Sequence, residues 1–465
     1  MHPALAADLD RFDQLLDAAR ARAVAALGAL AERPVAAPAP RAPGPYEPLP
    51  ERGAGGAAAL ARFGERWEPG LSGSAGPRYL GFVTGGATPA ALAGDWLVGA
   101  YDQNVVAAGD SAATDLERET VGWLRELFGL GPEHAGAFVS GATMSNAAGL
   151  AVAREWLGEQ LGVSVADAGV GALGEVAVLS GAAHSSVPKA LSVLGLGRGA
   201  LRELPLLPGR EAVDVDSLAA ALAELGGRPA IVVANSGTVN TVDFDDLRAV
   251  AALRERFPFW LHVDAAFGAF AALSPEHAHL VAGLDSADSV CVDLHKWLNV
   301  PYDAAVQFTR RRDLQVRVFR NAAAYMAQPG DDPDFVHLTP ENSRRLRALP
   351  AWLTLAAYGR EGHREVVERN AALARRFGER VEDAGALRLL APVRLNVVCF
   401  TTAQEPTAER VAAVAERAAA GGEVVVTPTV YGGTHGLRAA FSNWRTETGD
   451  VDRAVAALVA AARGV

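Results

Sequence analysis

The sequence predicts an α/β fold with a mainly parallel sheet, followed by a small α+β domain at the C-terminus. Two short apolar stretches, 261–267 and 289–297, each have the pattern of a buried strand that ends near a charged residue. A strand, crossover and strand unit places both carboxyl ends on one edge of a parallel sheet, where open α/β folds bind ligands. Beyond residue 345 the pattern changes: a long helical stretch over 349–380 precedes a strand-like 394–401, a helix near 408–420 and a closing helix over 450–463.

Asp264 and Lys296 follow these two strands, so we expect them to face a common crevice. An acid and an amine placed in this way suit pyridoxal phosphate, because lysine forms the Schiff base and aspartate pairs with the pyridinium nitrogen. The chain has 43 lysines and arginines together, yet only Lys189 and Lys296 are lysines. A guanidinium stays protonated and forms no imine, so arginine cannot replace an amine in this role. Lys189 fits a solvated surface charge better.

The length of 465 residues exceeds a single core and predicts two or three domains. We divide the chain into an N-terminal helical segment with a proline-rich connector (1–75), a large cofactor-binding domain (76–345) and a small C-terminal domain (346–465). The pattern predicts a helix over about 5–30, which packs on this chain's own core or on a second subunit. The proline-dense 34–50 then predicts an extended connector.

Composition argues against several classes of protein. No apolar run approaches the roughly 18 residues of a membrane span, and Asp8, Asp10 and Asp13 stand where a secretory signal would be basic. Cys291 and Cys399 are too few for a disulfide framework and lack metal-ligand spacing. A net charge of −11 argues against nucleic acid or an anionic membrane as partner. We therefore expect a cytoplasmic protein with no bound metal.

Three further segments lead from predicted strands toward the same sheet edge. Residues 141–146 follow a strand-like 137–139 and open an alanine-rich helix, whose N-terminus suits an anion such as phosphate. His184 follows a buried-strand pattern over 176–179; a histidine so placed either lies against a planar cofactor or is structural. The strand 230–234 leads into 235–241, whose hydroxyls and amides serve the cofactor ring or simply close the turn.

Together these motifs resemble the group II pyridoxal-phosphate amino-acid decarboxylases, which include the aromatic-amino-acid, glutamate and diaminobutyrate enzymes. The resemblance covers most of the chain from about residue 77, and the motifs arise in the family's order: His184-Ser185-Ser186-Val187, Gly237-Thr238, His262-Val263-Asp264-Ala265-Ala266, His295-Lys296-Trp297 and Leu437-Arg438. It implies fold type I, pyridoxal 5'-phosphate as cofactor, a small amino-acid substrate and a homodimer with active sites near the subunit boundary.

The resemblance also implies a role for each matching residue. Lys296 is the Schiff-base lysine, Asp264 the partner of the pyridinium nitrogen and His184 the histidine stacked on the ring. The remaining cofactor contacts are backbone groups at the phosphate, residues close to them and a residue near the ring: Thr143 and Met144, then Ser145 and His295, then Thr238.

Two departures from the family pattern bear on the reaction. The family commonly carries a proton-donating tyrosine on a mobile loop, here expected over about 327–340, and this stretch contains no tyrosine. An ungapped count places Phe335 at that position, with His337 two residues further on as another candidate donor. A phenylalanine there resembles family members that decarboxylate and then oxidise with oxygen to an aldehyde. Asp293 also stands where many relatives have asparagine.

The sequence leaves the substrate and part of the chemistry open. Phe82, Val83, Thr84, the stretch 105–110 and the loop near Phe335 of the partner subunit are the expected side-chain selectors, and they disfavour a strictly dicarboxylic substrate. Arg438 either binds a substrate carboxylate or has a structural role. The leading hypothesis is an L-amino-acid decarboxylase, the runner-up is decarboxylation-coupled oxidative deamination, and transamination or aldol cleavage follows. A cofactor-binding regulator is the alternative from another class, but the N-terminus shows no basic recognition helix.

Overall fold

The structure, a computed structural model, describes residues 1–37, 47–107, 109, 111–321, 330 and 332–465. Much of the expected 34–50 connector and part of the expected 327–340 loop lie outside these residues.

The larger of the two sheets carries the stretches that the sequence places at one edge. Its strands are β1 (Ala135–Val139), β2 (Val178–Ser180), β3 (Leu201–Glu203), β4 (Ala230–Asn235), β5 (Phe259–Asp264), β6 (Ser289–Asp293) and β7 (Ala305–Thr309). They lie in the order β1-β7-β6-β5-β4-β2-β3. The strands from β6 through β3 are mutually parallel, whereas β7 runs antiparallel to both β6 and β1. The prediction of a mainly parallel sheet is confirmed.

Helices cover both faces of this sheet, which is why β4, β5 and β6 are buried at every position. The α-helices of the described residues are α1 (Pro3–Leu9), α2 (Phe12–Gly28), α3 (Gly56–Arg66), α4 (Pro89–Tyr101), α5 (Ala113–Leu127), α6 (Ala142–Gln160), α7 (Val165–Ala168), α8 (Ser186–Val193), α9 (Val215–Glu224), α10 (Leu247–Ala252), α11 (Leu294–Trp297), α12 (Arg312–Phe319), α13 (Ala348–Asp383), α14 (Ala408–Ala420) and α15 (Thr448–Arg463). Within the described ranges, none of them has the length and apolar character needed to cross a membrane.

A second, antiparallel sheet forms the small α+β unit expected at the C-terminus. Its strands are β8 (Leu387–Leu389), β9 (Val397–Thr402), β10 (Thr427–Tyr431) and β11 (Thr434–Ala440), in the order β10-β11-β9-β8. The ring of Phe377 on α13 packs edge-on against Phe400 and Phe441, with 5.5 Å between ring centroids in both pairs. The two sheets fall within the expected 76–345 and 346–465, and those boundaries themselves stay a prediction.

The N-terminus differs from the single helix expected over 5–30. The chain forms α1 and α2 instead, because Arg11 leaves the helical region with φ −128° and ψ 30°. The carboxylate of Asp8 accepts the amide of Gly56 at 2.9 Å, so the end of α1 is tied to the start of α3 rather than continued. Neither α1 nor α2 contains a fully buried residue.

Candidate active site

Lys296 lies in the one-turn helix α11, which starts directly after β6. Its Nζ is 3.5 Å from Oδ2 of Asp293 and 5.4 Å from the ring centroid of Phe267, which follows β5. Gly85 passes so close that a Cβ there would be 1.7 Å from the Lys296 carbonyl oxygen. The backbone around the amine is therefore tightly packed, while its side chain remains partly exposed.

Asp264 is the last residue of β5 and is paired in register with Cys291 of β6. The side chain is largely buried. Its Oδ1 accepts the amide of Ala266 at 3.2 Å, and its Oδ2 accepts Nδ2 of Asn146 at 2.9 Å. Because β5 and β6 are parallel, Asp264 and Lys296 emerge at the same edge of the sheet, as expected.

Asp293 contributes a second carboxylate beside the amine. Burial alone would raise its pKa, but Lys296, His295 and the Ala142 amide stabilise the charged form and hold the pKa below its ordinary value. Nε2 of His295 is 3.1 Å from Oδ1 of Asp293. Asp293, which the sequence marked only as a departure from the family, therefore contacts both Lys296 and His295.

The N-terminus of α6, where the sequence predicts a phosphate, lies next to this group. The amides of Thr143 and Met144 lie in its first turn, where backbone N–H groups have no partner within the helix. Gly141, just before the helix, comes close to His295, since a Cβ there would be 3.4 Å from Cε1 of that ring. The hydroxyl of Ser145 donates to the Val306 carbonyl at 3.0 Å, so it ties α6 to β7, and its role toward a phosphate stays a prediction.

His184 lies in the loop between β2 and α8 and is exposed. Its Nδ1 is 2.8 Å from Oγ of Ser186. The surrounding protein lowers the pKa of His184 through desolvation, against an opposing effect of Asp264, and Lys296 and Arg438 lower the pKa further. His184 therefore lies close enough to Lys296 and Asp264 for both charges to affect its pKa.

Thr238 lies in the loop that follows β4, and its hydroxyl is committed to a buried carboxylate. Oγ1 of Thr238 donates to Glu211 at 2.6 Å, and the same carboxylate accepts the amide and hydroxyl of Thr241 at 3.1 and 2.7 Å. Nη1 of Arg438 on β11 donates to the Val239 carbonyl at 2.7 Å. The loop is thus bonded both to Glu211, in the connection between β3 and α9, and to β11 of the small sheet.

Arg438 therefore bonds a backbone carbonyl of the loop that carries Thr238. Burial lowers its pKa, while Cys399 and Glu211 oppose that effect. Whether its remaining nitrogens bind a substrate carboxylate stays a prediction.

Phe82 and Thr84 form part of the expected substrate wall. Phe82 is 62% exposed and adopts φ 56°, a left-handed conformation that costs a non-glycine residue free energy and is common at functional sites. Its amide donates to Oγ1 of Thr427 at 2.7 Å. Thr84 is buried, so Phe82 is the side chain of this pair that can meet a ligand.

Phe335 and His337 lie in the segment that Arg344 links to β1, whereas Lys296 follows β6. They form a 3₁₀ turn, and both side chains are buried. The guanidinium of Arg344 lies over the Phe335 ring at 4.9 Å and also donates to the Phe138 carbonyl of β1 at 2.7 Å. Strand β1 is the sheet edge two strands from β6, so any contact of these residues with a reacting group stays a prediction.

The residues of this cleft fit pyridoxal phosphate. Lys296 would supply the amine, Asp264 the carboxylate for the ring nitrogen, and the first turn of α6 the amides for the phosphate. Asn146 and Glu211 are functional candidates that sequence reasoning missed. Asn146 closes the Gly141-to-Asn146 motif, but its side-chain partners depend on β5 and α8, which are distant in sequence.

Residues 65–403 match the family model described as the pyridoxal-dependent decarboxylase conserved domain. The chain belongs to this family. Its members are pyridoxal-phosphate-dependent amino-acid decarboxylases, which are carboxy-lyases, and the expected cofactor and family are confirmed.

The relatives include both decarboxylases and an aldehyde-forming enzyme. The chain is 29% identical over 332 residues to the aromatic-L-amino-acid decarboxylase of Bacillus atrophaeus, covering 70% of this chain and 67% of the relative. It is 35% identical over 213 residues to the 3,4-dihydroxyphenylacetaldehyde synthase of Drosophila melanogaster, covering 43% of this chain and 42% of the relative.

A solved structure supports the fold over the whole length. TDC of Oryza sativa, crystallised with pyridoxal phosphate and tryptamine, superposes with a TM-score of 0.90 at 23% identity, covering 100% of this chain and 99% of that chain. At this identity the likeness shows the fold alone, and it confirms the expected fold type I.

Proposed function

We propose that this family member decarboxylates an L-amino acid, with Lys296 carrying the cofactor. The observation that carries the proposal is the convergence of Lys296, Asp264 and His184 on one edge of the larger sheet. Each has the chemistry that the reaction requires, and they come from segments separated along the chain.

The residues of the site and the cofactor have separate roles in the proposed reaction. When bound, pyridoxal phosphate supplies the electron sink for the electrons released as the bond between Cα and the carboxylate breaks. The Asp264 carboxylate keeps a proton on the ring nitrogen, because an opposite charge in contact shifts a pKa by about 1–3 units. Lys296 would hold the cofactor through its amine, and Asp293, 3.5 Å from Nζ, would bind that amine whenever it is free. Carbon dioxide leaves, a proton adds at Cα, and an amine is the product.

An aromatic L-amino acid is the substrate class we propose. Phe82 presents an exposed ring in a strained backbone conformation at the expected substrate wall. A rigid aromatic side chain offers a large apolar contact for another ring. The Bacillus atrophaeus relative is named for aromatic L-amino acids, which is consistent with this choice.

A second candidate reaction follows from Phe335. A phenyl ring donates no proton, so decarboxylation is followed by oxidation if no other group protonates Cα. The amino acid, oxygen and water then give an aldehyde with carbon dioxide, ammonia and hydrogen peroxide. His337 is the other expected donor, but it is only 2% exposed and its Nδ1 accepts the Asn321 amide at 3.2 Å. The Drosophila melanogaster relative is named as an aldehyde synthase.

A homodimer is the assembly we propose. Apolar side chains recur along α1 and α2 and remain exposed within the chain: Leu5 63%, Leu9 62%, Phe12 53% and Leu16 55%. Exposed large apolar side chains that recur along two consecutive helices favour a protein interface. The sequence left open whether the N-terminal helices pack on the chain's own core or on a second subunit. Their exposed apolar side chains favour the second subunit.

The test is to reconstitute the protein with pyridoxal phosphate and supply L-tryptophan, L-tyrosine, L-phenylalanine, L-glutamate and L-2,4-diaminobutyrate separately. Carbon dioxide, ammonia and peroxide are measured together. We expect carbon dioxide from an aromatic amino acid, and none from the Lys296→Ala variant, whereas Lys189→Ala retains it. Absence of carbon dioxide from all five would contradict the proposed reaction.

The variant Phe335→Tyr separates the two reactions. If the wild-type enzyme forms aldehyde, the restored phenol is expected to lower peroxide and ammonia in favour of the amine. A wild-type protein that yields carbon dioxide and amine without peroxide would exclude the aldehyde route.

A further inference from the structure

A buried chain of hydrogen bonds connects the two ring-facing groups of the active site, and this inference rests on the function proposed above. We propose that Asn146 is a positioning residue that holds the Asp264 carboxylate and, through Ser186, sets which nitrogen of His184 carries the proton. Nδ2 of Asn146 donates to Oδ2 of Asp264 at 2.9 Å and to Oγ of Ser186 at 3.0 Å. Oγ of Ser186 is in turn 2.8 Å from Nδ1 of His184.

The orientation of the Asn146 amide follows from its neighbours. A carboxylate oxygen only accepts, so the amide nitrogen must face Asp264 and the amide oxygen must face the other way. That oxygen is 2.9 Å from Nε2 of His262, which must therefore carry a proton. The reversed amide would place an oxygen against the carboxylate and a donor against a donor, which leaves both contacts unfavourable.

At the other end of this hydrogen-bond network, the indole N–H of Trp260 fixes the direction of the bonds, because it donates and cannot accept. Nε1 of Trp260 donates to Oγ of Ser289 at 2.9 Å, and the Ser289 hydroxyl then donates to Nδ1 of His262 at 2.8 Å. His262 is thus neutral, in agreement with burial, which lowers its pKa to about 4. These three residues and Asn146 are almost completely buried, so water does not compete for their bonds.

The hydrogen bonds around Ser186 decide which nitrogen of His184 carries the proton. Nδ1 of His184 accepts the Ser186 amide at 3.2 Å, so it carries no proton in the neutral ring. The Ser186 hydroxyl, which accepts from Asn146, is therefore the donor in its 2.8 Å contact with Nδ1. Neutral His184 then carries its proton on Nε2, which becomes the hydrogen-bond donor of the ring.

An amide suits this position better than other side chains. It orients the Asp264 carboxylate without neutralising it, so the negative charge remains for the cofactor ring nitrogen. A basic side chain would compete for that charge, and an acidic one would repel it. A single residue thereby couples the electrostatic partner of the ring to the histidine on its face.

The test compares Asn146→Ala, which cuts both branches, with Ser186→Ala, which cuts only the branch to His184. Ser185→Ala, an exposed neighbour, serves as the matched control. The first readout is the pH titration of the visible absorption of the bound cofactor without substrate, together with cofactor affinity. The second readout is the pH profile of kcat/KM.

We expect Asn146→Ala to weaken cofactor affinity about 10- to 100-fold, the size of a hydrogen bond to a charged group, and to shift the absorption titration. Ser186→Ala is expected to keep the absorption titration and to raise the pKa of the acid limb of kcat/KM by about 0.5–1 unit, because protonation of Nδ1 then breaks only the bond from the residue 186 amide and no longer the one from the hydroxyl.

Wild-type titration and affinity in Asn146→Ala, or a wild-type pH profile in Ser186→Ala, would overturn the inference. If Asn146→Ala does not fold, the Ser186→Ala profile decides. The proposed function fails separately, since a wild-type protein without carbon dioxide production would contradict it while the absorption titrations still report on Asn146.

Discussion

Asp293 carries an unusual share of the charge balance at the active site. Its carboxylate lies 3.5 Å from the Lys296 amine and 3.1 Å from His295, and it is buried. Burial would raise its pKa, but Lys296, His295 and the Ala142 amide lower it. The ion group therefore stabilises the fold only while Asp293 is ionised.

The pH dependence of stability follows from the sign of this shift. A carboxylate with a lowered pKa stabilises the folded state above its unfolded pKa of about 3.9, and the stabilisation is lost as pH falls through the folded pKa. We expect Asp293→Asn to lower the free energy of unfolding of the cofactor-free protein by about 1.5 kcal/mol at pH 7. The deficit is expected to shrink at pH 3.

Urea unfolding at both pH values measures this difference. The control is Asp285→Asn, because Asp285 is an exposed aspartate in the connection between β5 and β6, the strand that ends at Asp293. An equal deficit at both pH values would show that the charge of Asp293 is not the cause.

Among individual residues, the sequence indicates those whose chemical role few other side chains can fill. Lys296 and Asp264 could be inferred because an amine and an acid follow two strands of one parallel sheet. Asn146, Ser186 and Glu211 act through hydrogen bonds between segments far apart in sequence, and an amide or hydroxyl has many possible partners. Their roles required the contacts themselves.

Among the elements, α5 holds the edge of the larger sheet through a buried ion pair. Oε1 of Glu117 is 2.7 Å from Nη2 of Arg344 and also accepts the Phe138 amide at 3.0 Å, and neither side chain of the pair is more than 1% exposed. Arg344 in turn covers the Phe335 ring. The pair therefore links α5, β1 and the segment in which the sequence placed the reaction's proton donor.

Removing one charge of this pair leaves the other buried without compensation. We expect Glu117→Gln to reduce the free energy of unfolding by about 3–5 kcal/mol. Glu119→Gln on the same helix, where an exposed carboxylate accepts Nε1 of Trp352 at 3.1 Å, is expected to cost about 1 kcal/mol. Equal losses in the two variants, measured by chemical unfolding, would contradict the special role of the buried pair.

Most elements could be predicted from local pattern, whereas the break between α1 and α2 could not. Strands such as β4 and helices such as α14 have continuous apolar or amphipathic sequences that determine them locally. The end of α1 depends on the contact of Asp8 with Gly56, 48 residues away, which no local periodicity records.

For the whole molecule, the exposed apolar side chains of α1 and α2 predict the assembly. We expect the wild-type protein to sediment as a dimer and the double variant Leu9→Asp, Leu16→Asp to shift toward the monomer, because charges would then enter an apolar interface. Val430→Asp, at a residue 51% exposed on β10, is the control and is expected to remain dimeric. A monomeric wild-type protein in analytical ultracentrifugation would contradict the proposed assembly.

Lys296 is the residue proposed to carry the cofactor, and the presence of only two lysines in the chain makes this role directly measurable. Borohydride reduction of the reconstituted protein fixes a Schiff base as a stable pyridoxyl-lysine, which peptide mass spectrometry can locate. We predict the modification on the peptide that contains Lys296 and none on the peptide with Lys189. Modification of Lys189 alone, or of neither lysine, would contradict the account.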